Sequence, residues 1–264
     1  MLRIKKTLTT IGVWLGIQLT VMIPFAIYAA TAKKEMTEIL APSLFVSNAL
    51  VILVLWFMRY YKIRELFQKV PIKVLVLSLV LGFCALYAID ILSLPFNLPD
   101  IMGDLFNYMA HTFWGFLAIA IIGPIAEEVM MRRVILTEIA QSTGKQWLGI
   151  LISAALFAII HGNPIQIFFA LPAGILLGWL YCKTGNLLVP ICVHIMNNTI
   201  SFFTIRSGAE NDMQFTDTWT LVQLSACIVV TIALVIWLNV YYSKNRIEVA
   251  DQEEQVVTAD APQE

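Results

Sequence analysis

Charged residues are scarce in this chain. Only 13% of its 264 residues are Asp, Glu, Lys or Arg, whereas 59% are hydrophobic and the mean hydropathy is +0.79. A soluble domain has about 25% charged and about 45–50% apolar residues. The scarcity of charge therefore excludes an ordinary soluble domain and predicts a polytopic membrane protein.

Several common functional signatures are also missing. None of the four cysteines has CxxC spacing, so we interpret them as small buried hydrophobic residues rather than as disulfides or metal ligands. The sequence has no internal repeat, no glycine-rich phosphate loop and no HExxH zinc motif. The net charge is only −1, and nothing in the sequence indicates a nucleic-acid partner.

The apolar runs predict an all-α membrane helix bundle with about eight transmembrane helices, since one span needs about 20 residues. We expect the fourth span to continue as a helix through a Glu-Glu pair to about residue 139. The fifth and sixth spans are short and are joined by Gly162, Asn163 and Pro164. The predicted spans are residues 8–30, 41–58, 74–95, 108–126, 147–161, 165–182, 187–204 and 219–242.

The basic residues predict the orientation of these spans. With the N-terminus inside, all of the 17 Lys and Arg residues except Lys33, Lys34 and Arg206 fall on the inner side. Cytoplasmic loops carry such an excess of positive charge. An even number of spans then places both termini in the cytoplasm of a multi-pass cell-membrane protein.

The chain divides into four parts on this basis. Residues 1–107 form the N-terminal transmembrane helices and residues 108–204 contain the candidate catalytic core. Residues 205–246 form an outer loop and the last span. Residues 247–264 are polar and acidic, and we expect them to be disordered because they have little apolar surface to bury.

Glu127 and Glu128 lie in the apolar sequence IAEEVMMRR. Ionisable groups are costly in a bilayer and usually line a cavity or a site. Glu128 precedes Arg132 by four residues, which favours a helical ion pair, whereas the position four after Glu127 is Met131. We therefore expect Arg132 to hold Glu128 and Glu127 to face a cavity. The alternative is that the pair marks the charged cytoplasmic end of a span.

Two histidines also lie in apolar segments. Phe157 and His161 are four residues apart and share a helix face, as do His194 and Asn198 in the middle of a span. Polar groups at that depth need partners. By themselves, His161 could simply end a buried helix, and His194 with Asn198 could be interhelical hydrogen-bonding groups.

Taken together, these residues resemble the CPBP family of intramembrane proteases, also called the Abi or CAAX-protease-like family. The resemblance covers roughly residues 108–204. Arg133 is a departure, because many members have Gly after the motif arginine. The matching motifs are Glu127-Glu128…Arg132, Phe157…His161 and His194…Asn198.

The resemblance implies an endopeptidase that acts on a membrane-associated peptide or protein. Glu127 would activate a water as general base, and His161, His194 and Asn198 would position that water and stabilise the oxyanion. Glu128, Arg132 and Phe157 would have supporting roles.

Family members are called metalloproteases, and Glu127, His161 and His194 could hold zinc with one open position. A Glu that binds the metal is, however, less free to act as a base. The sequence therefore leaves two alternatives open, a zinc-dependent enzyme and an enzyme without a metal cofactor.

Two other functions stay open at this point. The chain could be a non-catalytic membrane protein that binds a peptide, such as a bacteriocin self-immunity factor, a role associated with some family members. A small transporter is less favoured, because the sequence shows no broken helices in matching halves. The compact chain is typical of a bacterial protein, so prenylated CAAX substrates are not assumed.

Overall fold

The computed structural model describes residues 4–208 and 213–259, and the side chains of residues 4–208 and 213–243. This part of the chain is helical and contains no strand, as the composition predicts. Its helices are α1 (Lys5–Ala32), α2 (Met36–Phe57), α3 (Ile72–Ser93), α4 (Gly103–Ala110), α5 (Phe113–Thr143), α6 (Gln146–Ile159), α7 (Pro164–Thr184), α8 (Leu188–Ser207) and α9 (Thr218–Ala259).

Helix α5 lies at the centre of the bundle. Half of its most apolar 18-residue stretch is buried inside the protein, against 11% for α1 and α9. It packs against α2, α6 and α8, while α9 packs mainly on α3. Thr112 begins α5, since its side chain accepts a hydrogen bond from the Gly115 amide at 2.9 Å. The predicted fourth span, 108–126, therefore begins later than expected, and Gly103–Ala110 forms the separate helix α4.

Within the described part of the chain, seven helices are long and apolar enough to span a membrane, and α6 is the exception among the eight predicted spans. Its 14 residues extend about 21 Å, which is less than the roughly 30 Å of a hydrocarbon core. The helix still connects the two sides of the bundle. Before α6, Arg133 of α5 pairs with Glu65 of the α2–α3 loop, whereas Asn163, after α6, hydrogen-bonds to Asp100 of the α3–α4 loop.

Helices α6 and α7 form an antiparallel hairpin with close backbone contact. A Cβ atom added at Gly174 would lie 3.0 Å from Ala154, and one at Gly178 would lie 3.3 Å from Ile150. Small residues allow membrane helices to approach in this way. The hairpin thus brings the end of α6, with Phe157 and His161, against the segment of α5 that contains Glu128 and Arg132.

The α2–α3 loop is held to the same end of the bundle as the start of α8. Asn186 donates to the carbonyl groups of Gln68 and Lys69 at 3.3 and 3.1 Å. In the loop, the Tyr61 hydroxyl donates to the Ile52 carbonyl at 3.0 Å. Burial raises the pKa of Tyr61 to about 12, so the hydroxyl stays protonated and remains a donor.

Two predicted segments lie partly outside the described residues. The predicted outer loop after α8 includes residues 209–212. The disorder predicted for 247–264 stays a prediction: the backbone is helical to Ala259, but side chains from residue 244 onward and residues 260–264 are outside the described part.

The orientation predicted from the basic residues can be tested with reporter fusions. Fusions at residue 66, in the α2–α3 loop, and at the C-terminus should report the cytoplasm, and a fusion at residue 99, in the α3–α4 loop, should report the outer side. A cytoplasmic signal at residue 99 would contradict the predicted topology.

Candidate active site

The two adjacent glutamates of α5 have different environments. Glu128 is fully buried, whereas the side chain of Glu127 is 24% exposed. They lie between two π-helical segments of the same helix, Phe116–Ile122 and Val129–Leu136. Such π-helical turns are frequent at functional sites. Adjacent residues on a helix point about 100° apart, which is why one carboxylate is enclosed and the other is accessible.

Glu128 contacts Arg132, as the four-residue spacing predicts. Arg132 Nε lies 3.0 Å from Glu128 Oε2, and both side chains are completely buried. Neither of these two atoms makes a hydrogen bond of acceptable geometry in the described structure, so the contact is an ion pair without a well-aligned hydrogen bond. A buried pair of this kind depends on both partners, because either charge alone would be strongly destabilising.

Glu128 also contacts His194, which the sequence did not predict. The other carboxylate oxygen of Glu128 lies 2.9 Å from His194 Nδ1. Glu128 therefore contacts two of the predicted site residues, Arg132 on its own helix and His194 on α8. Its carboxylate lies between Arg132 and His194 and orients the imidazole, which is the role that outer partners of functional histidines usually have.

His194 lies between both carboxylates. With Nδ1 directed to Glu128, its Nε2 atom faces Glu127 and lies 3.6 Å from Glu127 Oε2. This separation is longer than a hydrogen bond. Glu127 and His194 come from α5 and α8, 67 positions apart in sequence numbering, so this proximity arises only from packing of the two helices.

Phe157 is the side chain around which the site is packed. Its ring meets the His161 ring edge-on at 4.9 Å and the His194 ring edge-on at 5.5 Å between centroids. On its face, the Arg132 guanidinium carbon lies 4.9 Å from the ring centroid, as in a cation–π contact. One buried phenyl ring therefore positions three of the predicted polar residues.

His161 is connected to the other site residues through its contacts with Phe157. Its Nδ1 atom lies 2.7 Å from the Phe157 carbonyl oxygen. Because a carbonyl only accepts, Nδ1 carries the hydrogen and the neutral ring has its lone pair on Nε2. The side chain is half-buried. The Phe157 ring that contacts the His161 ring also contacts the His194 ring.

Asn198 is bonded to α5 about two turns before the glutamates. Its Nδ2 atom donates to the Ile119 carbonyl at 3.0 Å. In the π-helical register, in which Gly123 bonds to Ala118, Ile119 would pair with residue 124. That residue is Pro124 and has no N–H. The proline thus leaves a carbonyl free, and Asn198 satisfies it.

Asn197, the residue before Asn198 in α8, also contacts this group. Its Nδ2 atom donates to Asn198 Oδ1 at 3.2 Å. Asn198 therefore has its amide group held on both sides, by α5 and by its neighbour. Two successive amides in the middle of an apolar span were the signal in the sequence.

The site residues do not form a recognisable metal centre. Among the described residues, no three or more His, Cys, Asp or Glu side chains are grouped so that they could hold a metal ion. The zinc candidates Glu127, His161 and His194 include one close pair, Glu127 with His194. The donor arrangement does not fit a zinc site of three protein ligands.

Comparison with known proteins agrees with this arrangement. The sequence model of one family, described as type II CAAX prenyl endopeptidase Rce1-like, matches residues 109–200. This range contains α5 to most of α8 and every predicted site residue. The match confirms the resemblance to the CPBP, or CAAX-protease-like, family over that segment.

A curated relative supports the same assignment. The chain is 34% identical over 80 residues to a Bacillus subtilis (strain 168) protein named "Putative membrane peptidase YdiL". The aligned part is 30% of this chain and 32% of the relative, so it spans about a third of each. No solved structure matches this chain. The family resemblance thus concerns the α5–α8 core.

Proposed function

We propose that this protein is an intramembrane endopeptidase that hydrolyses peptide bonds of membrane-associated peptides or proteins. The observation that carries the proposal is the facing pair of Glu127 and His194, 3.6 Å apart between two apolar helices. Charged groups inside a membrane bundle are rare and usually functional. The family match over the same segment supports the reaction class.

Glu127 acts as the general base in this mechanism. It is the more accessible carboxylate, so a water can reach it and lose a proton to it as the water oxygen attacks the scissile carbonyl carbon. When the carbon–nitrogen bond breaks, the proton held by Glu127 passes to the leaving amine. His161 orients the water, since its Nε2 lone pair accepts a hydrogen bond.

His194 and Asn198 stabilise the oxyanion. A protonated His194 donates through Nδ1 to Glu128 and through Nε2 into the site, so the same ring can bind the negative oxygen. Asn198 has one amide hydrogen directed to Ile119 and a second one left for the substrate. Glu128, Arg132 and Phe157 hold His194 in place.

His194 lies nearer to the end of the bundle predicted to be cytoplasmic, whereas His161 follows the opposite end of α6. His194 lies six residues after Leu188, the first residue of α8, which corresponds to about 9 Å along the helix. A cleft of about 640 Å³ opens at this end, between the α2–α3 loop and α5. It is lined by Arg64, Glu65, Gln68, Arg133, Thr137, Gln141, Tyr181, Gly185 and Leu187. None of these residues belongs to the proposed catalytic set, so the position of His194, rather than the cleft, supports our proposal that the substrate enters from the cytoplasmic side.

The proposal is tested by comparing membrane peptides in cells with the intact protein and in cells with Glu127→Gln. Fragments that disappear in the variant, with accumulation of their longer precursors, support hydrolysis. If the purified protein bound such a peptide equally well in both forms and neither form cleaved it, the peptide-binding alternative would be favoured.

Removal of zinc should leave the activity unchanged. The candidates Glu127, His161 and His194 do not form a three-ligand set, and in our mechanism Glu127 is free to act as base. The measurement is the rate of peptide hydrolysis before and after dialysis against a zinc chelator. Loss of activity that returns with added Zn²⁺ would instead assign these residues as metal ligands.

A further inference from the structure

The turn between α6 and α7 contains a completely buried asparagine with an unusual set of contacts. Asn163 is at the N-cap of α7 and is 0% exposed. An asparagine at this position usually accepts a hydrogen bond from the first turn of its own helix. Here the side chain makes no such bond.

The Asn163 side chain instead bonds to the α3–α4 loop. Its Nδ2 atom donates to Asp100 Oδ1 at 2.8 Å, and its Oδ1 atom accepts from the Ile101 amide at 3.1 Å. The same oxygen of Asp100 also accepts from the Met102 amide at 3.1 Å. Both ends of one amide are therefore used to join two segments 62 residues or more apart.

Asn163, which makes these hydrogen bonds, lies two residues after His161. The intervening Gly162 has a φ of +64°, so the chain turns sharply there. The backbone bonds of the turn are local: His161 N donates to Ala158 O and Gly162 N to Ile159 O, both at 3.2 Å. Asn163 is thus the side chain that ties this turn to another part of the protein.

The short length of α6 explains why such a tie is needed. A helix of about 21 Å ends roughly 9 Å before the far side of a 30 Å hydrocarbon core, if it begins at the near side. Non-helical backbone at that depth occurs only where it is enclosed by protein or lines a water-filled cavity. The α3–α4 loop meets the turn through Asp100, which hydrogen-bonds to the buried side chain of Asn163.

We propose that Asn163 and Asp100 are positioning residues for His161. Through these two residues, the α3–α4 loop becomes part of the active site. This inference rests on the role proposed above for His161. The imidazole is anchored by the carbonyl and the ring of Phe157, four residues earlier on α6. The backbone of His161 itself lies in the turn after α6, so the direction of its Nε2 atom also depends on how the turn is held.

The expected effect is on the chemical step. A misplacement of about 1 Å in an active site can cost roughly 10²-fold in rate. In Asn163→Asp, a carboxylate replaces the amide that donates to Asp100. Two carboxylates would then lie within hydrogen-bonding distance of each other, and their like charges repel. We expect kcat for a membrane peptide to fall by roughly that factor, with KM much less changed.

An exchange of the two residues provides the matched rescue. In the double variant Asp100→Asn with Asn163→Asp, the amide and the carboxylate change places and can bond again. We expect most of kcat to return, whereas Asp104→Asn, an exposed carboxylate in the first turn of α4, should change nothing. Asn163→Ala removes both contacts without adding charge and should also lower kcat.

A second readout does not depend on catalysis. Diethyl pyrocarbonate modification of His161, measured by mass spectrometry, can be compared with modification of His111. His111 makes the same kind of contact, Nδ1 to the carbonyl of Asn107 at 2.8 Å, but is exposed and far from the turn in sequence. The His161-to-His111 ratio should rise in Asn163→Asp and Asn163→Ala and return to the original value in the exchanged double variant.

These outcomes separate the two proposals. If the wild-type protein cleaves no peptide but the modification ratio follows the pattern above, the proposed function fails and the positioning of His161 stands. An unchanged ratio in Asn163→Ala, or a double variant no better than Asn163→Asp in both readouts, would overturn the positioning role.

Discussion

Glu127→Gln should abolish most of the peptidase activity and leave the fold intact. Loss of a general base costs roughly 10²- to 10⁴-fold in rate. The amide keeps the shape of the side chain, and Glu127 makes no hydrogen bond below 3.5 Å with His194 that the fold would lose. The measurement is kcat of the purified protein in liposomes, beside its thermal unfolding midpoint, which should not change.

The matched control for this variant is Glu138→Gln on the same helix. Glu138 lies at the far end of α5 and accepts hydrogen bonds from the backbone amides of Lys6 and Thr7 at the start of α1. The single amide oxygen of glutamine can accept from only one of these two amides, but the contact lies eleven residues beyond Glu127 at the start of α1, so activity should persist. A fully active Glu127→Gln protein beside an inactive Glu128→Gln protein would mean that the roles of the two glutamates are reversed.

Arg132→Ala should cause the largest loss of stability. It would leave the Glu128 carboxylate, which is 0% exposed, without its cationic partner, and breaking a buried pair from one side costs roughly 3–5 kcal/mol. The guanidinium contact with Phe157 would also be lost. We expect low protein levels in the membrane and a strongly lowered unfolding midpoint.

Two variants make this result specific. Arg133→Ala removes the adjacent arginine, whose pair with Glu65 is 29% and 21% exposed, and more accessible pairs of this kind contribute about 0–1 kcal/mol. The double variant Glu128→Gln with Arg132→Met should restore protein level better than Arg132→Ala. It should still have reduced activity, because Glu128 also orients His194. Equal protein levels in Arg132→Ala and the double variant would contradict a stabilising pair.

The helical architecture was largely predictable from composition and local pattern. Long apolar runs and scarce charge leave only helices as spanning elements here, and seven of the expected spans are found at nearly the expected positions. The sequence predicted a short α6, but it did not reveal that the helix stops after 14 residues, before the turn at Gly162 and Asn163, and is too short to span a bilayer without help. Nor did it place the end of the turn against Asp100.

The sequence by itself determined which residues could carry chemistry, since polar groups isolated in apolar segments are visible from spacing alone. The Glu128–Arg132 pair is local to one helix, four residues apart, and was predictable for that reason. The contacts of His194 with both glutamates, of Asn198 with Ile119 and of Phe157 with three polar side chains join separate helices. Such contacts depend on how helices rotate and pack against one another, which local spacing does not encode, so the tertiary structure alone decided them.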